Sequence, residues 1–346
     1  MAGELKLGLN TGYWAGGPPP GVTESVAEAE RLGFDSIWTA EAYGSDCLTP
    51  LAWWGASTSR IKLGTAIVQL SARQPAATAM AAMTMDLLSG GRFILGLGVS
   101  GPQVVEGWYG MPFAKPLART REYIGILRDI WARKGPVTAD GEHYKLPLPG
   151  GTGLAKPLKS SIHPLREEIP IYLGAEGPKN IALCAELCDG WLSMLFAPAH
   201  QQIYVDALDE GFARAGARHT AETFQVNATV PLIVSEDIDA AADALRPFYA
   251  LYFGGMGAKG KNFHANVAIR MGYEAEVDEI ASLYLEGKKD EAGAKVPRKL
   301  IEDMSLIGPK EKIRDDLAKW RESVVDTLLI SGDVATLRAA AELVLG

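Results

Sequence analysis

The chain has 346 residues, 47% of them hydrophobic and 22% charged, a balance that fills a large core and excludes a disordered or fibrous polypeptide. The net charge of −8 is spread without an acidic or basic tail, which argues against nucleic acid and anionic membrane surfaces as partners. The start, MAGELKLGLN, has no basic segment leading into an apolar one, and no apolar run of about 18 residues follows, so a cytoplasmic protein without a membrane span is expected. The three cysteines, Cys47, Cys184 and Cys188, fit a reducing compartment better than a disulfide framework. Cys184 and Cys188 share a helix face and read as small buried side chains.

In chain order, apolar runs at 5–10, 35–40, 61–70, 93–99, 169–173, 190–195, 224–234 and 326–330 have strand character. Helical patterns at 22–32, 48–59, 75–89, 117–133, 178–188, 198–216, 238–253, 309–322 and 334–345 separate or follow them. Parallel neighbours need crossover connections, so strands alternating with helices predict a parallel sheet. Eight such units over this length predict a closed (β/α)8 TIM barrel, with an open doubly wound sheet as the alternative. One domain over 1–346 is expected, with two insertions. Residues 134–168 are rich in Gly and Pro and suggest a hairpin around Asp140-Gly141 followed by a long loop. Residues 254–308 interrupt the alternation before the last strand, and long insertions of this kind often form lids or binding loops.

GLGVSG at 96–101 has the G-x-G-x-x-G spacing of a dinucleotide-binding turn. The context is wrong for it. The motif lies on the fourth strand, Pro102 to Gly110 allows a single turn of helix, and the acidic residue due about 20 positions on falls inside a helix. Residues two apart face the same side of a strand. Gly96 and Gly98, Gly64 and Ala66, and Gly8, Asn10 and Gly12 therefore give three strands one small face near their C-terminal ends. Such a face inside a barrel leaves space for a planar ligand.

GLGVSGPQVVEGWYG, preceded by IKLGTAIVQLSARQPAATAMAAMTMDLLSGGRFI, resembles the bacterial-luciferase-like superfamily of monooxygenases and deazaflavin oxidoreductases. LGFDSIWTAEAYGSD, IPIYLGAEGPKN and CDGWLSMLF carry the same resemblance, which spans essentially the whole chain. It implies a (β/α)8 barrel with insertions, a dimer, and FMN or coenzyme F420 at the C-terminal mouth, with the F420-dependent branch the more similar. By that resemblance, Ala66 and Ile67 form a non-prolyl cis peptide behind the ring, and Gln69, Gly98, Ser100 and Gly101 line the same site. Gly174, Ala175, Glu176 and Gly177 correspond to a cofactor-contact turn. Gly177-Pro178 then opens a helix, an arrangement suited to a phosphate. Arg73, Lys156, Lys159 and Lys179 either rim the anionic cofactor tail or are solvated charges.

Glu41 matches the family's acidic position beside the ring. Ala42 and Ala197 stand where the related glucose-6-phosphate dehydrogenases carry a histidine and a phosphate-binding lysine, which argues against sugar phosphates. The proton-transfer group is then open: His264 is one candidate, or else a solvated loop histidine, and Tyr13 and Tyr109 are others. Tyr13-Trp14 and Trp108-Tyr109 either wall an apolar substrate pocket or pack the insertions onto the barrel. The five histidines lack metal-site spacing, so no metal is expected. The function implied is hydride transfer between F420 and a small, apolar alcohol, ketone or activated alkene. An FMN-dependent monooxygenase and a non-catalytic flavin-binding relative are the alternatives.

Overall fold

Helix stops and starts follow the local chemistry of the chain. Gly33 and Gly90 take left-handed backbone (φ 86° and 65°) and close the helices Val22–Leu32 and Pro75–Ser89. Pro75, Pro116 and Pro178 open helices at positions where no amide hydrogen is needed. The computed structural model describes residues 4–14, 16–257 and 262–346.

The strands in chain order are β1 (Lys6–Gly12), β2 (Ser36–Thr39), β3 (Lys62–Thr65), β4 (Val68–Gln69), β5 (Phe93–Gly98), β6 (Ala139–Asp140), β7 (Lys145–Leu146), β8 (Ile171–Gly174), β9 (Gly190–Ser193), β10 (Gln225–Thr229), β11 (Leu232–Val234), β12 (Leu306–Gly308) and β13 (Thr327–Ile330). The order β3-β2-β1-β13-β10-β9-β8-β5-β4 is parallel throughout, and a β3–β5 pairing closes it into the predicted barrel. The stretch 61–70 is one stave in two pieces, β3 and β4, separated by a cis Ala66–Ile67 peptide.

Differences from the sequence expectation have local causes. The run 224–234 breaks at Pro231, and its second half, β11, leaves the barrel to pair with β12, a strand too short to be seen in the sequence. The helix expected at 198–216 is a 3-10 turn, Pro198–His200, followed by Gln202–Phe212. The helix at 48 ends at Gly55. The hairpin expected at Asp140-Gly141 forms as β6–β7. Within 254–308 lie four short helices, Ala265–Arg270, Glu274–Leu285, Lys289–Ala294 and Arg298–Asp303.

Strand alternation divides the barrel wall. Leu7, Leu9, Ile37, Leu63, Leu95, Leu97, Ile171, Leu173 and Leu328 point outward and pack in the main core with the helices. Trp38, Ile94, Tyr172, Leu192 and Leu329 point inward and form a separate cluster. Here the vacancy read from the glycines is corrected. A Cβ on Gly64 would lie 2.4 Å from the Trp38 ring, one on Gly8 2.6 Å from Leu329, and one on Gly190 2.8 Å from Tyr172. One on Gly96 would strike the Thr65 carbonyl oxygen. Most of the small inward face therefore accommodates protein side chains and close backbone, and open space begins only above this layer.

Candidate active site

Above the plug, the C-terminal ends of the staves enclose a cavity of about 1470 Å3. A (β/α)8 barrel places its variable loops at this end, because every stave there runs into the loop preceding the next helix. The residues expected at a cofactor site come together on its wall: Glu41 after β2, Ala66 and Ile67 at the cis peptide, Gln69 on β4, and Gly98, Ser100 and Gly101 after β5. Gly174, Ala175, Glu176 and Gly177 join them from the turn between β8 and the helix Pro178–Leu187.

Gly98 and Gly174 act on the bulge. Cβ atoms there would lie 2.6 Å and 3.1 Å from the Ile67 side chain, so both glycines give that side chain its place at the cavity floor. Ser100 has φ 60°, and Gly101 precedes the helix Pro102–Gly107, only six residues long, so the G-x-G-x-x-G spacing opens no dinucleotide-binding helix.

Of the four aromatics proposed to wall the pocket, Tyr13 alone lines it, beside Tyr43 with ring centroids 6.3 Å apart. Trp14 packs against Trp54 in the outer core (6.3 Å), Trp108 is 65% exposed, and Tyr109 donates its hydroxyl to the Ala42 carbonyl (3.1 Å). Trp14 and Tyr109 thus make contacts off the cavity wall, and Trp108 stands largely exposed. Phe248, Tyr252, Phe263 and Met256, all in or next to the second insertion, supply the aromatic and apolar wall instead. The helix Ile238–Ala250 continues into a π-turn, Leu251–Gly255, which carries Tyr252 to the cavity.

The Glu41 carboxylate accepts at both oxygens. Oε1 accepts from the Gln69 amide (3.0 Å) and from Arg73 (2.5 Å), and Oε2 accepts from the Cys47 amide (3.4 Å), with the side chain 4% exposed. Burial opposes the charge on Arg73, yet the Glu41 carboxylate outweighs it and raises the guanidinium pKa. Arg73 is thus a partner of Glu41 rather than part of a rim for an anionic tail; Lys179 does line the cavity. Burial, followed by the charge of Glu41, drives the Cys47 thiol well above its ordinary pKa, so it is unreactive.

Gln69 donates through Nε2 to the carbonyls of Glu41 (2.9 Å) and Ala42 (3.1 Å). Those two bonds fix the amide's orientation and leave Oε1, buried on the cavity wall, with no partner. Asn180 Oδ1, in the first turn of Pro178–Leu187, is likewise unpartnered, and Asn180 lines the cavity. Unpaired buried acceptors are costly, so an N–H- or O–H-bearing ligand suits them. An aromatic heterocycle with an N–H-bearing edge fits the unpartnered Gln69 Oε1 on the cavity wall.

His264 lies across the cavity on the second insertion, with Nδ1 2.7 Å from Glu176 Oε1. Its Nε2 has no hydrogen-bond partner among the described residues and is not sealed in. Burial works to lower the His264 pKa, and the charge and hydrogen bond of Glu176 prevail, so the net shift is upward. This pairing was not legible in the sequence, where the two residues stand 88 positions apart. Among the described residues, no cluster of three or more His, Cys, Asp or Glu is arranged to hold a metal, and no helix is long and apolar enough to cross a membrane.

A closed barrel whose C-terminal mouth holds a large apolar cavity has the architecture of a barrel enzyme. The comparisons narrow that class: the family model for luciferase-like monooxygenases matches residues 8–327, and the chain belongs to that family. It is 54% identical over 347 residues to a Mycobacterium tuberculosis protein provisionally named a coenzyme F420-dependent oxidoreductase, Rv3520c, covering 99% of this chain and 100% of the relative. The fold is shared with the coenzyme F420-dependent tetrahydromethanopterin reductase of Methanopyrus kandleri (TM-score 0.81, 23% identity, 99% of each chain). It is also shared with an F420-dependent secondary alcohol dehydrogenase solved with an F420–acetone adduct (TM-score 0.77, 17% identity, 99% and 98% of the two chains).

Proposed function

We propose that this protein is a coenzyme F420-dependent oxidoreductase acting on a small, neutral, apolar alcohol, ketone or activated alkene. The observation that carries the reading is the single cavity wall on which the Ala66–Ile67 bulge, the orphaned Gln69 Oε1 and the turn from Gly174 to Gly177 converge. The 54% identity to a relative named for F420 favours the deazaflavin over FMN. When bound, the deazaflavin supplies or accepts a hydride at a ring carbon in a two-electron step; the chain supplies placement and a dry chamber.

Ile67, seated on Gly98 and Gly174, supports the ring from below, and Gln69 accepts from its edge. Ser100, Gly101 and Gly177 offer backbone to the phosphate of the tail. Glu41, tied to Arg73 and two backbone amides, is a fixed negative charge that orients the strand ends under the ring. The substrate lies against Val230, Leu232, Leu245, Phe248 and Phe263, a wall that rewards apolar bulk.

Titration of purified protein with oxidised F420, and separately with FMN, followed by fluorescence quenching, tests the reading. Micromolar binding of F420 with at least tenfold weaker FMN binding is expected. The reverse preference would establish the monooxygenase reading in its place.

A further inference from the structure

The second insertion grips the turn between β8 and Pro178–Leu187 at one residue, in two ways. His264 Nδ1 meets the Glu176 carboxylate at 2.7 Å, and Arg270, six residues on, donates to the Glu176 main-chain oxygen at 2.6 Å. Asn262 Oδ1 accepts from the His264 backbone amide (3.0 Å), and its Nδ2 donates to the carbonyls of Tyr252 and Phe253 (2.7 and 3.1 Å), which fixes the loop on the π-turn. The Tyr252 ring stands edge-on to the imidazole, with centroids 4.9 Å apart. The imidazole is therefore held by Glu176 at Nδ1 and by the Tyr252 ring, and Nε2 is the ring nitrogen without a partner among the described residues, on a side chain that lines the cavity.

Two other groups near the mouth are already engaged: the Glu41 carboxylate accepts from Arg73 and from the Gln69 and Cys47 backbone amides, and the Tyr109 hydroxyl donates to the Ala42 carbonyl. Burial and its neighbour Tyr43 raise the Tyr13 pKa, which keeps the phenol protonated. We propose that Glu176 and His264 work as one unit, in which His264 Nε2 exchanges a proton with the substrate's oxygen and Glu176 is the positioning residue that fixes its tautomer. This rests on the deazaflavin reading given above and reassigns Glu176 from cofactor contact to partner of the imidazole.

The step balances. In the reducing direction a hydride passes from the reduced deazaflavin to the carbonyl carbon of a ketone, or to the β-carbon of an enone with the conjugated π pairs shifting by one bond, a C=O π pair moves onto oxygen, and the imidazolium Nε2–H protonates that oxygen. Alcohol, or from the enone an enol that tautomerises to the saturated ketone, is formed with oxidised deazaflavin and neutral imidazole, and solvent restores the proton. With Nδ1–H donated to Glu176, the neutral ring presents its Nε2 lone pair to the chamber, so the same atom is the base for alcohol oxidation. Among the described residues, Glu176 is bonded to Nδ1, Arg270 sits beside it on the Glu176 main-chain oxygen, and Tyr252 stands edge-on to the ring, while Lys179, Tyr13 and Tyr43 line the same cavity.

The test combines NMR of the histidine Cε1–H signals in the full-length protein with F420 quenching and turnover. The His264 signal is assigned by its loss in His264→Gln. In the wild type it should titrate above 6.5, and Glu176→Gln should move the midpoint below that value. With reduced F420 and 2-cyclohexen-1-one as the probe pair, His264→Gln should lose about 100-fold in kcat while still quenching F420. Glu176→Gln should lose less and shift the pH profile downward, the same way as its NMR midpoint. A wild-type midpoint at or below 6.5, a midpoint indifferent to Glu176→Gln, or full turnover in either variant overturns the proposal. So does loss of F420 binding in step with turnover, which would make the pair a cofactor cradle. Failure of the cofactor reading is distinct, because then the wild type itself leaves F420 fluorescence unquenched; the NMR titration decides the pair whether or not the enone is turned over.

Discussion

Glu41 stands at the cavity wall with its carboxylate held by Arg73 and by the Gln69 and Cys47 backbone amides. Its position at a strand end was legible from TAEAYG, but its partners were not: Arg73 lies 32 residues away and reads in sequence as one more surface cation. Replacing Glu41 by Gln leaves a half-buried guanidinium (23% exposed) without its counter-charge. The expected cost is about 2–3 kcal/mol in protein free of cofactor, measured by urea unfolding, because an unpaired buried charge is penalised beyond the lost bond. Unchanged stability would show that the pair adds nothing and would return Glu41 to a purely catalytic account. His264 shows the converse. A histidine in a polar loop carries no local signal of its role, and the contact that defines it forms only when the second insertion folds across to the fifth stave.

The strands of the barrel wall were readable as elements because β/α alternation and period-two patterning are local, and the eight staves fall where those patterns place them. Volume is not local. Gly8, Gly64 and Gly96 mark the inward face correctly, yet whether that face stays open depends on which large residue of a neighbouring strand turns in. Trp38, two positions from Ser36 and hydrogen-bonded to it through Nε1 (2.8 Å), is that residue. Its ring against Tyr172 (centroids 5.7 Å) seals the barrel under the cavity. Trp38→Ala should therefore cost about 3–5 kcal/mol in denaturant unfolding. Gly64→Ala, which drives a methyl into the same ring, should cost about 1–3 kcal/mol. A neutral Gly64→Ala would mean that the inner layer has slack and that the glycine serves something else. The β11–β12 pair escaped notice because three residues carry no periodicity, although Pro231 already signalled a break in the run before β11.

At the scale of the whole molecule, the closed barrel supplies a rigid ring of strand ends, and the two insertions give it different services. Residues 134–168 fasten to the outside, where Arg166 pairs with the buried Asp86 and donates to the Phe93 carbonyl. The second insertion closes over the mouth with the π-turn, His264 and Arg270. The cofactor is predicted at one location: the ring upon the Ile67 bulge, its edge at Gln69, its phosphate at the Gly177-Pro178 helix start, and His264 Nε2 facing the substrate chamber. The crystal structure of the protein soaked with oxidised F420 tests this most directly. Tricyclic density resting on Ile67 and within hydrogen-bond distance of Gln69 Oε1 is the predicted result. Density for the ring anywhere else, or a mouth left empty at saturating F420, would contradict it.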